Sequence, residues 1–183
     1  MKNKGTIYVV QAAVIAALYA TLTILQNVLL PGTASMAVQF SVSEVLTVLS
    51  LFTPAAIPGL TVGCVLANIS SLSSLGPCDM IFGTMATLFA TLLMAAFRKI
   101  RVLKIPVFSL LMPALINGIL VGFEIDFFVI NHAAGFIFED FLFQGGCVAL
   151  GELGVLFVLG LPLTLLMEKK QLDKKLGLVP FKG

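Results

Sequence analysis

The sequence has no tryptophan, a single histidine (His132) and three cysteines, and only 11% of its residues are charged. Without tryptophan, no indole belt marks where a membrane interface would lie. Cys64, Cys78 and Cys147 are odd in number and widely spaced, with one histidine to join them. They read as small apolar fillers rather than a disulfide framework or a metal set. His132 reads as a solvated side chain in an outer loop. No G-x-x-x-x-G-K-S/T run, H-E-x-x-H pair, Ser-His-Asp order or glycine-rich phosphate loop occurs. A hydrolase or nucleotidase has nothing to build on here, and any ATP-driven step belongs to another polypeptide.

What is abundant is apolar surface. Of 183 residues 59% are hydrophobic, and the mean hydropathy is +1.10, far from a soluble globular composition. A helix rises about 1.5 Å per residue, so roughly 20 apolar residues cross the hydrocarbon. Nearly the whole chain divides into such stretches, at about 6–30, 36–52, 54–73, 79–97, 105–130 and 136–167. The expectation is an all-α integral membrane protein, one domain over residues 1–183, with six transmembrane helices. Lys2 and Lys4 precede the first apolar run, but that run is longer than the core of a signal peptide and reads as a retained span. Pro54 and Pro58 favour a break at Thr53-Pro54, because proline fits the first turn of a new helix and disrupts an interior.

The cations fix the expected orientation. All eleven Lys and Arg residues fall in the N-terminal tail, in 98–104, or after Met167. Positive residues beside span ends stay cytoplasmic, so an even number of spans must separate these clusters. Six spans with both termini in the cytoplasm meet that condition, whereas five would put Arg98, Lys99, Arg101 and Lys104 outside. The net charge of +2 comes from these clusters and carries no signal for nucleic acid. The outer loops, about 31–37, 73–79 and 131–140, hold no cation and instead carry Asp79, Glu139 and Asp140.

Ionisable groups inside a membrane are costly unless they face a wet cavity or a partner. Here they are Glu44, Glu124 and Glu152, with Asp79 and Asp126 nearer the surface, and no Lys or Arg lies in the spans to neutralise them. Glu44, Asn68, Asp79 and Glu124 fall in the outer half of the expected bundle, while Asn117 and Glu152 lie deeper. Carboxylates without protein cations suit a ligand rich in N–H donors or positively charged. A guanine-like edge, with adjacent ring N–H and amino donors, matches one carboxylate bidentately. Each acid also has an ordinary reading as a protonated, capping or helix-bridging group. For Asp79, after Pro77, helix capping and ligand binding both stay open, as they do for Glu124 and Asp126. The candidate substrate-binding residues are Glu44, Asn68, Asp79, Asn117 and Glu152, with no catalytic residue and no metal.

In the first span, Ala12, Ala16 and Ala20 form one stripe of small residues, and Ala13 and Ala17 form a second beside it. Four-residue spacing lets another helix approach closely, from this chain or from a different subunit.

Several blocks resemble the QueT family. They are Val38-Gln39-Phe40-Ser41-Val42-Ser43-Glu44-Val45-Leu46-Thr47, then Phe52-Thr53-Pro54-Ala55-Ala56-Ile57-Pro58-Gly59-Leu60 and Gly63-Cys64-Val65-Leu66-Ala67-Asn68. Asp79 to Leu88, Asn117 to Gly122, Val148 to Leu153 and Val158 to Leu163 continue the likeness, which covers about 6–167. One departure is Ser41, where many relatives are expected to carry a basic residue before the Ser-Glu pair. The resemblance implies a six-helix substrate-binding S component of an energy-coupling factor (ECF) importer in a bacterial plasma membrane. It implies a queuosine precursor, a 7-deazaguanine base or nucleoside, as substrate. It also implies a transmembrane coupling subunit and two ATP-binding-cassette ATPases as partners, with ATP used by those ATPases and no cofactor in this chain. In that family the alanine-rich first helix faces the coupling subunit, which assigns Ala13 and Ala17 to an intersubunit contact. The rival readings are a stand-alone proton-coupled carrier or small channel working through Glu124 and Glu152, and an intramembrane acid-base enzyme.

Overall fold

The computed structural model describes residues 4–30, 40–130 and 135–181, apart from the side chains of 70–76. His132 and the whole of the expected first outer loop, 31–37, lie outside the described residues. Helices make up almost all of the rest. They are α1 (Lys4–Leu29), a 3₁₀ helix (Val42–Leu51), α2 (Ala56–Ala96), α3 (Val107–Glu124), α4 (Phe138–Val155), α5 (Leu161–Lys170) and the short α6 (Leu172–Lys175). Two π-helical stretches, Ile125–Ile130 and Leu156–Gly160, continue α3 and join α4 to α5. Four helical segments are long and apolar enough to cross a membrane: Lys4–Leu29, Pro77–Lys99, Val107–Ile130 and Phe138–Lys170. Val42–Leu51 and Ala56–Ile69 are shorter apolar helices. The chain is therefore an all-helical, multi-pass membrane protein.

The break expected at Thr53-Pro54 is present. The 3₁₀ helix ends at Leu51, and Pro58 falls in the first turn of α2, where a missing N–H costs nothing. The expected third and fourth spans fall within one 41-residue helical run. That run cannot be straight. Eleven residues of straight helix would separate Asn68 from Asp79 by about 16 Å, yet Asn68 Nδ2 donates to the Asp79 carbonyl at 3.4 Å. A Cβ built on Gly83 would also lie 3.1 Å from Asn68 Nδ2. Arms 56–69 and 77–96 thus lie side by side and antiparallel, and Asp79 falls in the first turn of the second arm.

Small residues let the helices meet backbone to backbone. A Cβ added at Gly59 would lie 2.7 Å from the Ala12 carbonyl oxygen, and one at Gly63 would lie 2.8 Å from that of Ala16. One added at Gly122 would lie 2.5 Å from the Gly145 Cα, which locks α3 to α4. Close approach of this kind replaces the hydrophobic drive that lipid cannot supply.

The two ends of the bundle differ. At one end Gln11 clamps the C-terminal tail, donating to the Gly177 carbonyl at 2.7 Å and accepting from Val179 N–H at 3.0 Å. Arg101 pairs with Glu168 at 2.6 Å, the Arg98 guanidinium sits 3.9 Å above the Phe181 ring, and Tyr8 donates to the Pro54 carbonyl at 3.4 Å. The start of α1, the 98–104 turn and the tail therefore gather together, as an even number of passes between basic clusters requires. At the other end Gln26 accepts from Val42 N–H at 2.8 Å and donates to the Phe40 carbonyl, while Asp126 Oδ2 accepts from Ile137 N–H at 3.0 Å. Asp126 thereby anchors the entry into α4.

The 3₁₀ helix runs beside both α1 and α2, between Gln26 and Pro54. With 3.0 residues per turn, positions three apart eclipse one another. Glu44, Thr47 and Ser50 therefore share one face, and all three are buried, as is Thr53 just past the helix end. Thr47 and Ser50 hydroxyls donate to the carbonyls three residues earlier, Glu44 and Thr47, at 2.6 and 2.7 Å. Ten residues at about 2.0 Å each reach about 20 Å, further than the same residues as an α-helix. This explains how so short a segment travels so far along the bundle.

Candidate functional site

Four legs of the chain contribute polar side chains to a buried deep tier. Glu44 from the 3₁₀ helix, Asn117 from α3, Glu152 from α4 and Tyr19 from α1 are each buried. Tyr19 OH donates to Glu44 Oε1, and Asn117 Nδ2 donates to Glu152 Oε1 at 2.7 Å. The two carboxylates are close enough for their charges to repel. Among the described residues, Oε2 of Glu44 and Oε2 of Glu152 have neither a hydrogen-bond partner nor solvent contact. The pattern is the same in both: one oxygen is oriented by a neutral donor and the other is left open. A buried acceptor without a donor is costly, and no lysine or arginine lies in these segments to satisfy it. Such a pair is suited to receive N–H donors from a bound molecule.

A second, outer tier lies about 10 Å further along α3, the rise of the seven residues from Asn117 to Glu124. Seven residues is close to two turns, so both side chains occupy one face of the helix. Glu124 is 4% exposed and its Oε2 has no partner among the described residues. Asp79, on the second arm of α2, is close enough to repel it. Asn68 bridges the tiers, with its amide 3.4 Å from the Asp79 carbonyl and 3.5 Å from Cys64 Sγ. The buried Cys64 thiol lies in turn beside Tyr19 and Thr87. Phenylalanine rings crowd this end. Phe82 packs on Phe123 and Phe128 at centroid distances of 5.9 and 5.6 Å, and Phe123 stacks on Phe127 at 5.6 Å. The π-helical stretch starts at the residue after Glu124, and the second one starts four residues after Glu152. Such insertions are frequent at functional sites because they re-aim the side chains around them.

Of the five residues singled out in the sequence, Glu44, Asn117 and Glu152 come together in the deep tier. Asn68 and Asp79 meet each other above it. Sequence reasoning missed Tyr19, whose hydroxyl fixes Glu44, and left Glu124 outside the binding set. The signals were present: Tyr19 continues the inward face of Ala12 and Ala16 at seven- and three-residue spacing, and Glu124 follows Asn117 by seven. The two alanine stripes also separate. Ala16 and Ala20 are buried, with Ala16 packed against Gly63, whereas Ala13 and Ala17 are exposed on the outside of α1 among Val9, Val10, Val14 and Leu18. Among the described residues no three His, Cys, Asp or Glu side chains converge as a metal set.

The family model described as QueT transporter matches residues 9–169, a region that holds both tiers and the contacts that build them. The chain belongs to the QueT transporter family. It is similar to the queuosine precursor transporter QueT of Lactococcus lactis subsp. cremoris (strain MG1363), at 31% identity over 170 residues, which covers 86% of this chain and 90% of the relative. No solved structure matches significantly. As a QueT family member the chain is a membrane transport protein, and its paired buried carboxylates lie within the part that the family shares.

Proposed function

We propose that this chain is the substrate-binding S component of an ECF-type importer, capturing a queuosine precursor, a 7-deazaguanine base or nucleoside, from outside a bacterial plasma membrane. In this reading it crosses the membrane six times with both termini in the cytoplasm. The observation that carries the reading is the deep pair of Glu44 and Glu152, each with one oxygen steered by a neutral donor and one left open. The guanine-type edge of a deazaguanine presents adjacent N–H donors, and a carboxylate accepts such donors with charge-assisted strength. The relative's name supports the same ligand class. Asn68, Asp79 and Asn117 complete the set, with Asn117 holding Glu152 in register and Asn68 tying the two arms of α2 together.

The chain has no nucleotide-binding motif, so energy enters through a coupling subunit and two ATPases. The exposed Ala13 and Ala17 face of α1 is the surface offered to that coupling subunit. Titration calorimetry of the folded, detergent-purified chain with 7-aminomethyl-7-deazaguanine, queuine, queuosine, guanine and riboflavin tests the ligand class. Tight binding of deazaguanines alone is expected, and no response to any of them would remove the assignment. The stand-alone carrier, working through Glu124 and Glu152, predicts flux in proteoliposomes that lack ATPases and follows a pH gradient. The S-component reading predicts no such flux.

A further inference from the structure

The turn that joins the second arm of α2 to α3 is made of residues that ordinarily avoid its conformation. Val102 and Ile105 exchange two backbone hydrogen bonds, each 2.9 Å, and so close a two-residue loop. The loop residues Leu103 and Lys104 both have positive φ, 51° and 69°. Such a loop usually carries asparagine, aspartate or glycine, because a Cβ is unfavourable in the left-handed region. Among the described residues the other non-glycine residue of positive φ is Gln171, which caps the end of α5, a common place for that conformation. Strain of this kind persists where the surroundings impose it and clusters at functional positions. Here Arg101 imposes it, with Nη1 donating to the Lys104 carbonyl at 3.2 Å and Nη2 bonded to Glu168 on α5 at 2.6 Å. The strain is not repaid by packing inside the chain. Leu103 is 90% exposed, the most exposed large apolar side chain among the described residues, and Ile100 and Val102 beside it are nearly half exposed.

The place of the turn indicates what covers it. Two membrane-length helical segments flank it, one ending at Lys99 and one beginning at Val107, of 23 and 24 residues. Each rises about 35 Å, more than the ~30 Å hydrocarbon core and less than the ~40–45 Å of a bilayer with its headgroups. The turn therefore leaves the bundle at headgroup depth. Arg98, Lys99, Arg101 and Lys104 alternate there with Ile100, Val102 and Leu103, and no acidic residue occurs between Asp79 and Glu124 in the sequence. Cations interleaved with exposed apolar side chains at this depth complement an anionic lipid surface, phosphates for the ammonium groups and the acyl boundary for the apolar tip.

We propose that residues 98–105 form an interfacial anchor that docks on an anionic leaflet, with Leu103 at the acyl boundary and Lys99 and Lys104 on lipid phosphates. The left-handed turn is the device that points Leu103 away from the bundle, and Arg101 holds the turn rather than the lipid. The anchor fixes the depth of the two helices that it joins. It is independent of which molecule the deep tier binds.

Because the chain has no tryptophan, Leu103→Trp places one fluorescent reporter at the tip. In the full chain, reconstituted in nanodiscs of equal parts phosphatidylcholine and phosphatidylglycerol, its emission should be quenched by brominated acyl chains and little by aqueous acrylamide. Strong acrylamide quenching with no effect of brominated chains would overturn the anchor. The double change Leu103→Asn with Lys104→Gly supplies the residues that the turn prefers, and it decides the matter if Leu103→Trp does not fold. The wild type should unfold at a higher temperature in the anionic nanodiscs than in phosphatidylcholine alone. The double variant, without the apolar tip and one cation, should show that gain reduced by about 2–4 °C. A gain equal in wild type and double variant would overturn the proposal. If uptake by the assembled complex falls while that gain stays equal, the turn docks on a protein instead of a lipid surface.

Discussion

The two acidic tiers are made of the same residue types yet differ in how each acid is held. In the deep tier Tyr19 and Asn117 each fix one carboxylate oxygen, so the open oxygens of Glu44 and Glu152 are set in defined positions. In the outer tier Glu124 has no such donor on its Oε2 among the described residues, and the acid Asp79 is close enough to repel it. Fixed acceptors discriminate by hydrogen-bond pattern, because a ligand lacking the matching donors leaves buried polar atoms unpaired. Acid content alone therefore does not define what a membrane pocket reads, and the neutral side chains bonded to each acid decide it.

The largest expected effect falls on the deep tier. Glu44→Gln or Glu152→Gln replaces a charge-assisted acceptor worth about 1.5–3 kcal/mol, so deazaguanine affinity should fall about ten- to a hundredfold in calorimetry. Next comes the scaffold beneath that tier. Gly122→Ala drives a methyl group into the Gly145 backbone, and overpacking of this kind costs about 1–3 kcal/mol. Thermal unfolding in detergent should show a lower midpoint, with binding of every ligand weakened because the Asn117–Glu152 pair spans the same α3–α4 contact. Tyr19→Phe is smaller. It removes one donor to Glu44, and loss of about 1 kcal/mol corresponds to about fivefold in affinity. That loss should be the same for every deazaguanine that presents the same base edge. Smallest for binding is the double change Ala13→Leu with Ala17→Leu, on the outside of α1. Calorimetric affinity should be unchanged in both tiers, while ATP-driven uptake by the assembled complex should fall sharply.

Much of this was legible in the sequence for identifiable reasons. Pro54 announces the break after the 3₁₀ helix, since a helix interior does not tolerate its missing N–H. The confinement of every cation to three short segments anticipates that the start of α1, the 98–104 turn and the tail share one end. Glu44, Asn117 and Glu152 stand out because charge and amide groups in apolar runs need a reason to be there. What escaped notice depends on geometry that residue type does not carry. Ser41, Glu44, Thr47, Ser50 and Thr53 repeat every three residues, but that pattern acquires meaning only once the segment is known to be 3₁₀ rather than α. Tyr19 is concealed by its own ring, which counts as apolar while its hydroxyl does polar work. The two alanine stripes have the same four-residue spacing. Only the position of Gly63 shows that Ala16 is packed inside the chain while Ala17 is turned outward.

The most direct test of the account is the affinity of the folded chain for a 7-deazaguanine base, measured by calorimetry on wild type beside Glu44→Gln and Glu152→Gln. The account predicts tight binding to the wild type and a loss of about tenfold or more in each variant. Wild-type affinity retained in both variants would contradict the assignment of the deep carboxylate pair as the base-reading site.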